Sequence, residues 1–461
     1  MLDLLHSDAS IVDPDGSVHA AADLRRAAAA AANLLRETQA GRGDIVVLPA
    51  RDDARFLADL FGVWACGATA ACLDPDLPPQ EVERVLRFLA PRTIISAGTI
   101  AASPIPPQNR AELDGPSLVL MTSGTTGEPK GVVIGEAALR ARLALNVEAI
   151  GHEALQRSLV TLPLHFGHGL VGNTLTPLFA GGTVFLAGRG LALATGLGPQ
   201  IDREGVTFLS STPSFWRIVL RTSAPPRNGT LRRVHVGSAP LDALLWAKIA
   251  SWAGCDVVNC YGMSETANWF SGGSSADGFD DGRVGRPWGG RAGIVGADGG
   301  VVAAEGEGEI AVRTPALMSF YLDRPDITEA AMPHGWFRTG DTGRIDASGE
   351  IVLTGRIKEE INRGGIKVQP ADIDRVLDMH PDVAEACAFA LPDPASGEMV
   401  GVAVRMKAGK ALDAQALRAW CMERLRREAV PERFFPVNAM PVSGRGKVSR
   451  DAVRRAVTGA D

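Results

Sequence analysis

Apolar and polar positions in the first hundred residues fall into blocks typical of alternating helices and buried strands. Ala20 to Glu37 is rich in alanine, leucine and arginine, a composition that predicts a surface helix. Ile45 to Leu48 is a short apolar run of the kind found in strands buried on both faces. A second helical pattern covers Ala54 to Cys66, and Arg92 to Ile95 favours another strand. Strands separated by helices of this length predict a parallel sheet.

The alternation of helical and strand-like patterns continues to about residue 280 and then changes. Strand-like runs recur around Val160, Thr183–Phe185, Val206–Leu209, Val234–Val236 and Val257–Asn259. Beyond them, Gly-rich turns at 297–300 and 347–349 accompany β-type runs at 308–312 and 350–353, which are hairpin signals. This region predicts a small antiparallel barrel or sheet. From Lys358 onward, strand and helix patterns alternate again over a length that suits a small α+β domain.

Length and composition limit the classes of function. A chain of 461 residues is long for a single hydrophobic core, so two or more structural units are expected. The apolar content of 46%, the charged content of 22% and the net charge of −6 are ordinary for a globular protein and lack the basic excess of a nucleic-acid-binding surface.

The cysteines and the apolar runs bear on location. The six cysteines form no Cys-x-x-Cys pair, and we expect them to be reduced and mostly buried. No basic-then-apolar leader opens the chain, and no apolar run approaches the roughly 20 residues of a membrane span. The sequence therefore predicts a cytoplasmic protein.

The most informative segment is 118–134, where two apolar strands flank a loop with three glycines, four hydroxyl residues and Lys130. Glycines let backbone N–H groups wrap an anion, while hydroxyls and lysine add donors and charge. This is phosphate-binding chemistry. The spacing differs from that of a Walker loop.

The segment Thr122 to Gly131 resembles the phosphate loop of the adenylate-forming superfamily, which includes acyl-CoA synthetases, peptide-synthetase adenylation domains and luciferases. The family's other motifs follow in order along almost the whole chain. The resemblance is closest in type to acyl-CoA synthetases. It implies that the loop binds ATP through Thr122, Ser123, Gly124, Thr125, Thr126, Gly127 and Lys130, with Thr122 and Lys130 also counted among the catalytic residues.

Two further motifs resemble nucleotide-binding segments of the family. Gly237-Ser238-Ala239-Pro240 is similar to the loop that lies beside the adenine and the acyl chain. In Asn259 to Thr266, the resemblance implies that Asn259, Tyr261, Gly262 and Ser264 contact the nucleotide. Tyr261 is then expected to stack on adenine, Ser264 to meet the α-phosphate, and the catalytic Glu265 to hold Mg²⁺ against the phosphates.

The second half of the chain carries the remaining nucleotide motifs. Trp336 to Asp341 and Gly355 to Lys358 resemble the ribose-binding pair, in which Asp341 accepts both hydroxyls and Arg356 also reaches the sugar. Met440 to Arg450 resembles the segment whose lysine, Lys447 here, contacts the carboxylate and the α-phosphate during adenylation. A mobile ammonium is suited to stabilise charge that builds on the transferring group.

The resemblance implies a fold and a mechanism. An α/β N-terminal region, residues 1–356, would contain two αβ subdomains and a small β-barrel, with a mobile α+β C-terminal domain at 357–461. The acid would attack the α-phosphate of MgATP and release pyrophosphate. The C-terminal domain would then rotate about Lys358 and open a thiol tunnel past Gly364 and Gly365.

Acid specificity follows from the acyl-pocket residues that the resemblance assigns, which are His165, Gly237, Tyr261, Gly262 and Met263. Segment 162–170 has no carboxylate to hold an ammonium, so a small or medium carboxylic acid is favoured over an α-amino acid. Coenzyme A is the favoured acceptor, the phosphopantetheine of a carrier protein is the alternative, and a non-catalytic nucleotide-binding protein is a third possibility. The family's Ser/Thr-His pair after the phosphate loop is Gly135-Glu136 here, and the N-terminal region is shortened.

Overall fold

The computed structural model describes residues 1–96, 99–123, 129–296, 299–363, 366–394, 397–441 and 448–459. The chain divides into two compact units. The first unit contains 1–279, 284–291 and 313–337, and the second contains 280–283, 292–312 and 338–461. The mixed α/β class with a smaller C-terminal part is as predicted. The division of the chain at 356/357 into an N-terminal region and a mobile C-terminal domain stays a prediction.

The elements are numbered here in chain order. The helices are α1 (Ala21–Glu37), α2 (Ala54–Ala65), α3 (Pro79–Leu89), α4 (Glu136–Ile150), α5 (Thr176–Phe179), α6 (Gly190–Thr195), α7 (Leu197–Glu204), α8 (Pro213–Thr222), α9 (Ala243–Ala253), α10 (Pro325–Ala331), α11 (Pro370–Asp378), α12 (Ala414–Met422) and α13 (Arg450–Thr458). The strands are β1 (Ser10–Val12), β2 (Val18–Ala20), β3 (Ile45–Pro49), β4 (Thr69–Leu73), β5 (Thr93–Ser96), β6 (Thr99–Ala102), β7 (Ser117–Ser123), β8 (Pro129–Gly135), β9 (Arg157–Val160), β10 (Thr183–Leu186), β11 (Phe208–Ser211), β12 (Arg233–Gly237), β13 (Asp256–Met263), β14 (Asn268–Ser274), β15 (Arg283–Pro287), β16 (Arg291–Val295), β17 (Val301–Ala303), β18 (Gly306–Arg313), β19 (Phe320–Tyr321), β20 (Phe337–Ile345), β21 (Ile351–Arg356), β22 (Ile361–Arg363), β23 (Ile366–Val368), β24 (Val383–Asp393), β25 (Gly397–Met406) and β26 (Arg433–Pro436).

The first unit is built on two sheets. One has the order β15-β14-β13-β12-β11-β9-β10-β1-β2, and the other has the order β19-β8-β7-β4-β3-β5-β6. Strands β13, β12, β11, β9 and β10 run parallel to one another in the first sheet, as do β7, β4, β3 and β5 in the second. Parallel strands joined by helices confirm the sheet class expected from the sequence.

Helix α1 is not a simple surface helix. Its alanines form a packing face, with Ala28, Ala31 and Ala32 buried against α2. A Cβ atom on Gly62 of α2 would lie only 2.7 Å from the Ala31 Cβ, so the two helices touch closely at this point. The alanines of α1 therefore do two things: they favour the helical conformation, and their small side chains allow α1 and α2 to pack closely.

Two helices begin directly after the strands that carry site residues. The Thr212 side chain accepts a hydrogen bond from the Phe215 N–H and caps α8, whose first residue is Pro213. The Asp242 carboxylate likewise accepts from the Leu245 N–H and caps α9. A side-chain cap fixes where a helix begins. The short loops at 211–212 and 238–242 are thus held at both ends.

The second unit contains one sheet with the order β17-β16-β18-β20-β21, and a second with the order β23-β22-β25-β24, where β26 also pairs with β25. Helices α11 and α12 and these last strands share an apolar core that includes Ile373, Val402 and Leu417. The strands at 306–313 and 351–356 match the runs predicted from the sequence.

All six cysteines are free thiols, and four of them are buried, in agreement with the sequence prediction. Burial raises the pKa of the Cys387 thiol to about 12, and it holds the pKa of Cys260 well above the ordinary value. Within the described part of the chain, no helix is both long enough and apolar enough to cross a lipid bilayer.

Candidate active site

Candidate residues in the first unit gather where neighbouring parallel strands end. Strands β9, β11, β12 and β13 lie side by side and point the same way. His165 follows β9, Ser238 follows β12, and Glu265 follows β13. Ligands of α/β proteins bind at this carboxyl edge of a sheet. The topology thus brings together residues separated by up to a hundred positions in the sequence.

Strands β7 and β8 form an antiparallel pair in which Thr122 is opposite Lys130. The Thr122 hydroxyl donates to the Lys130 carbonyl at 3.4 Å. Gly124, Thr125, Thr126 and Gly127 lie outside the described residues, as does the side chain of Ser123. The flanking strands are those that the sequence predicts around a phosphate loop.

Lys130, Glu265 and Tyr321 form one polar cluster. The Lys130 ammonium lies 3.7 Å from a Glu265 carboxylate oxygen and 3.4 Å from the centre of the Tyr321 ring. The Tyr321 hydroxyl donates to the same carboxylate at 2.8 Å. Burial, together with the Glu265 charge, raises the pKa of the Tyr321 hydroxyl, so it stays a donor. The cluster places a cation, Lys130, and an anion, Glu265, at the end of the hairpin formed by β7 and β8.

Sequence reasoning missed Tyr321. The residue lies in β19, a two-residue strand that pairs with β8 through Tyr321 opposite Val132. It is 56 positions from Glu265, and it belongs to no motif that the sequence singled out. Only its placement at the edge of the second sheet reveals the contact.

Glu265 is the one predicted metal ligand. Among the residues that the structure describes, no group of three or more His, Cys, Asp and Glu side chains could hold a metal ion by itself. The Glu265 side chain is 14% exposed and sits beside a cation, so it can present a carboxylate to a bound group. This donor set fits Mg²⁺ only as one carboxylate that works together with the phosphates of a nucleotide.

The segment around β12 and β13 is packed too tightly for larger residues. A Cβ on Gly237 would lie 2.9 Å from the Cys260 carbonyl oxygen, and one on Gly262 would lie 2.2 Å from that of Asn268. Asn259 and Tyr261 are buried in β13. Ala239 is half-buried and Pro240 is exposed in the loop after β12. The predicted adenine and acyl contacts thus lie on adjacent strands.

Residues Met263 to Thr266 form a compact turn at the end of β13. The Met263 N–H donates to the Thr266 hydroxyl at 3.1 Å, and Ser264–Thr266 is a short 3-10 helix. Behind this turn, the guanidinium of the buried Arg142 donates from Nε to the Thr266 carbonyl at 3.0 Å. The turn that holds Ser264 and Glu265 is therefore fixed by the Thr266 side chain within it and by the buried Arg142 side chain.

The two histidines after β9 have different surroundings. His165 is 7% exposed, and its Nε2 lies 3.5 Å from a carboxylate oxygen of Asp74, which follows β4. Its ring also packs against Phe166, with 4.0 Å between ring centres. His168 instead hydrogen-bonds to two serines, at 2.8 and 2.6 Å. The carboxylate near His165 could not be found from its sequence neighbours.

A cluster of aromatic rings lies behind His168. The ring of His235, on β12, is fully buried, with its centre 5.0 Å from that of Phe208 and 4.7 Å from that of Trp269. Burial, with a smaller contribution from the charge of Arg233, holds the pKa of His235 well below its usual value. His235 is therefore neutral near pH 7.

In the second unit, Asp341 and Arg356 are direct cross-strand partners in β20 and β21. Their side chains form an ion pair, in which the Asp341 carboxylate is 5% exposed and Arg356 is largely exposed. The Asp341 N–H donates to the Thr339 hydroxyl at 3.1 Å. The sequence-predicted ribose pair is thus assembled by strand register alone.

The hinge, tunnel and lysine predictions fall mostly on positions without described side chains. Lys358 lies in the short turn Ile357–Glu359, but nothing is described of its side chain. Gly364, Gly365 and Lys447 lie outside the described residues. Three positions after Lys447, the Arg450 guanidinium binds the Asp374 carboxylate at 2.6 Å and the Ala388 carbonyl at 2.8 Å.

Comparison with known families gives two matches. Residues 6–111 and 96–322 match the family described as AMP-binding enzyme, and residues 372–447 match the AMP-binding enzyme C-terminal domain.

Curated relatives and solved structures extend these matches. The chain is 30% identical to oxalate–CoA ligase of Arabidopsis thaliana, over 92% of this chain and 90% of the relative. It is 37% identical to sulfoacetate–CoA ligase of Cupriavidus necator, over 76% of this chain and 68% of the relative. The structure of ATP-bound MatB from Rhodopseudomonas palustris has the same fold, with a TM-score of 0.86, 22% identity, and coverage of 99% of this chain and 98% of that one.

Proposed function

We infer that this chain, which belongs to the AMP-binding enzyme family, is an ATP-dependent, AMP-forming acid–thiol ligase that makes acyl-CoA thioesters. The observation that carries the proposal is the Lys130–Glu265–Tyr321 cluster at the carboxyl edge of the strands. It supplies one cation and one anion where the hairpin around the phosphate loop ends. The relatives named as CoA ligases support coenzyme A as the acceptor.

The first step is adenylation of a carboxylic acid. Lys130 and the backbone and hydroxyl groups of residues 122–127 bind the phosphates, because a charged donor together with N–H and O–H donors suits an anion. Glu265 would hold Mg²⁺ against these phosphates, and the ion would supply charge neutralisation there. Tyr321 keeps the Glu265 carboxylate in place through its hydroxyl. Positioning and charge stabilisation provide most of the catalysis in such phosphoryl chemistry.

The nucleoside and the transferring group are assigned to other residues. Tyr261 stacks on adenine, Ser264 meets the α-phosphate, and Asp341 accepts hydrogen bonds from the ribose hydroxyls. Arg356 supports the sugar because it is already paired with Asp341. Lys447 stabilises charge at the reacting carboxylate, and a rotation about Lys358 would separate the two half-reactions.

Finer proposals concern the acid and the acceptor. His165, Gly237, Tyr261, Gly262 and Met263 are proposed to line the acyl pocket, which takes a small or medium acid. The relatives named for oxalate and sulfoacetate support a small acid. A phosphopantetheinyl carrier protein is the alternative acceptor, and comparison of thioester formation with the two thiols separates them.

The decisive experiment measures ATP–pyrophosphate exchange with a panel of carboxylic acids, followed by thioester formation with coenzyme A. We expect acid-dependent exchange and AMP release coupled to thioester formation. A protein that binds ATP but gives no exchange with any acid would contradict the proposal and favour a non-catalytic nucleotide-binding role. Glu265→Gln serves as the inactive reference, because it removes the proposed metal ligand and the charge paired with Lys130 while keeping the size of the side chain.

A further inference from the structure

Three hydrogen-bonded side chains near the ends of β9, β11 and β12 form what we call the Ser–His–Ser relay. His168 Nε2 lies 2.6 Å from the Ser210 hydroxyl oxygen, and His168 Nδ1 lies 2.8 Å from that of Ser238. Ser210 belongs to β11, and Ser238 directly follows β12. All three residues belong to the first unit.

The direction of these hydrogen bonds follows from burial. Ser210 is fully buried, and within the described residues the only hydrogen-bond partner of its hydroxyl is His168. A buried hydroxyl proton is costly to leave unpaired, so Ser210 donates to Nε2. The neutral imidazole then carries its proton on Nδ1 and donates it to Ser238. The Ser238 hydroxyl proton is left to donate onward.

The backbone at Ser238 supports a role for this hydroxyl. Its φ angle is +68°, in the left-handed region that glycine adopts freely and that other residues adopt at a cost. A residue held in such a conformation within a functional loop is evidence that its side chain is needed there. Serine at this position provides a donor that glycine lacks.

The space around the relay is small. The His168 ring meets the edge of Trp269, with 5.3 Å between ring centres and an interplanar angle of 80°. A Cβ on Gly172 would lie only 2.7 Å from the Trp269 indole, so the backbone at Gly172 and the indole are already in close contact. The side of the His168 ring toward Trp269 is therefore closed, and Ser238 lies at the carboxyl end of β12, where the candidate residues gather.

We propose that Ser238 donates a hydrogen bond to a second oxygen-bearing group of a short-chain acid substrate, and that the Ser–His–Ser relay selects for that group. A carboxylate or sulfonate close to the reacting carboxyl is the strongest acceptor of this kind. Ser210 and His168 are positioning residues that orient the Ser238 hydroxyl. The proposal rests on the proposed ligase function, since it assigns a substrate class to that same site.

The test compares kcat/KM for acid-dependent ATP–pyrophosphate exchange with matched pairs of acids. Malonate and sulfoacetate carry a second oxyanion, whereas butyrate and propionate are similar in length and lack it. We expect the protein to prefer the first pair. Ser238→Gly should lower kcat/KM for malonate and sulfoacetate about ten- to a hundredfold more than it lowers kcat/KM for butyrate and propionate, the effect of one hydrogen bond to a charged group. Glycine suits the backbone conformation, so this variant should fold.

A second variant tests the relay behind Ser238. Ser210→Ala should reduce the same preference by a smaller factor, because His168 loses the donor that fixes its tautomer. Ser251→Ala, on the exposed face of α9, is the matched control and should change nothing. Equal loss with both classes of acid in Ser238→Gly, or no preference in the parent protein, would overturn the relay and leave the ligase function intact. An absence of exchange with every acid would overturn both.

Discussion

The proposed phosphate end and the proposed acyl end of the first unit use opposite chemistry. At the phosphate end, Lys130 and Glu265 place two opposite charges against the Tyr321 hydroxyl and ring. At the acyl end, His168 joins two neutral hydroxyls, and His235 is buried neutral among aromatic rings.

This difference in chemistry shows how one site can bind the same nucleotide in every turnover and still discriminate among carboxylic acids. Charge pairing recognises phosphates, which are the same in every turnover. Directed neutral hydrogen bonds and closed apolar walls discriminate among acids. We therefore expect changes at the phosphate end to lower activity with all acids alike, and changes at the acyl end to alter ratios between acids or local stability.

The largest expected effect is that of Lys447→Ala. Removal of a donor that stabilises developing charge should lower acyl-adenylate formation by about 10²- to 10³-fold with every acid. Thioester formation from supplied acyl-adenylate should be nearly unchanged, because the lysine acts only in the first step. Pyrophosphate exchange and thioester assays measure the two steps, and Lys410→Ala is the surface control. Equal loss in both steps would contradict the assignment.

Asp341→Ala should weaken ATP binding by roughly one to two powers of ten, because hydrogen bonds to a charged group contribute about 1.5–3 kcal/mol. The loss should again be independent of the acid. Calorimetric titration with ATP measures it, and Asp346→Asn, at the turn after the same strand, is the control. An unchanged dissociation constant would show that the ribose is bound elsewhere.

Acidification should destabilise the acyl end. The pKa of His235 is held below its unfolded value of about 6.5, so the unfolded chain binds more protons below that pH. Its contribution to stability is present above pH 6.5 and is lost as the pH falls, by up to about 1.4 kcal/mol per unit. Urea unfolding between pH 7.5 and 5.5 should show a shallower dependence in His235→Leu. His152→Gln, an exposed control, should retain the original slope.

Tyr321→Phe should have the smallest effect. It removes one hydroxyl from Glu265 but leaves the ring beneath Lys130. Exchange should fall about two- to tenfold, less than the full effect of a hydrogen bond to a charged group, because the Glu265 carboxylate keeps its charge and its contact with Lys130. Tyr321→Leu also removes the ring and should cost more. If both variants matched the parent protein, the polar cluster would have no part in the reaction.

Much of this organisation was predictable from local sequence. The strands at 45–48, 183–185 and 257–259 were expected from continuous apolar runs, and the pairing of Asp341 with Arg356 was implied by the resemblance of their motifs to the adenylate-forming superfamily. The family assignment is confirmed by matches that cover both parts of the chain. These features are local, since each depends on a short run of residues.

The contacts that could not be predicted are those made by tertiary placement. Tyr321 reaches Glu265 across 56 positions because a two-residue strand pairs with β8. Asp74 lies beside His165 because β4 ends near it in the fold. The positive φ of Ser238 leaves no trace in the sequence, where serine reads as an ordinary loop residue.

The buried thiols have a consequence for chemical self-protection. An acyl-adenylate is a mixed anhydride, and any thiolate close to it would be acylated in place of the intended acceptor. Cys260 lies in β13 directly before Tyr261 and opposite Gly237, inside the proposed site, yet its thiol is 5% exposed and its pKa is far above neutral. Because the thiolate is the nucleophile, a thiol kept protonated does not compete. At the proposed site, burial would thus let a thioester-forming enzyme carry a cysteine beside an acyl-adenylate.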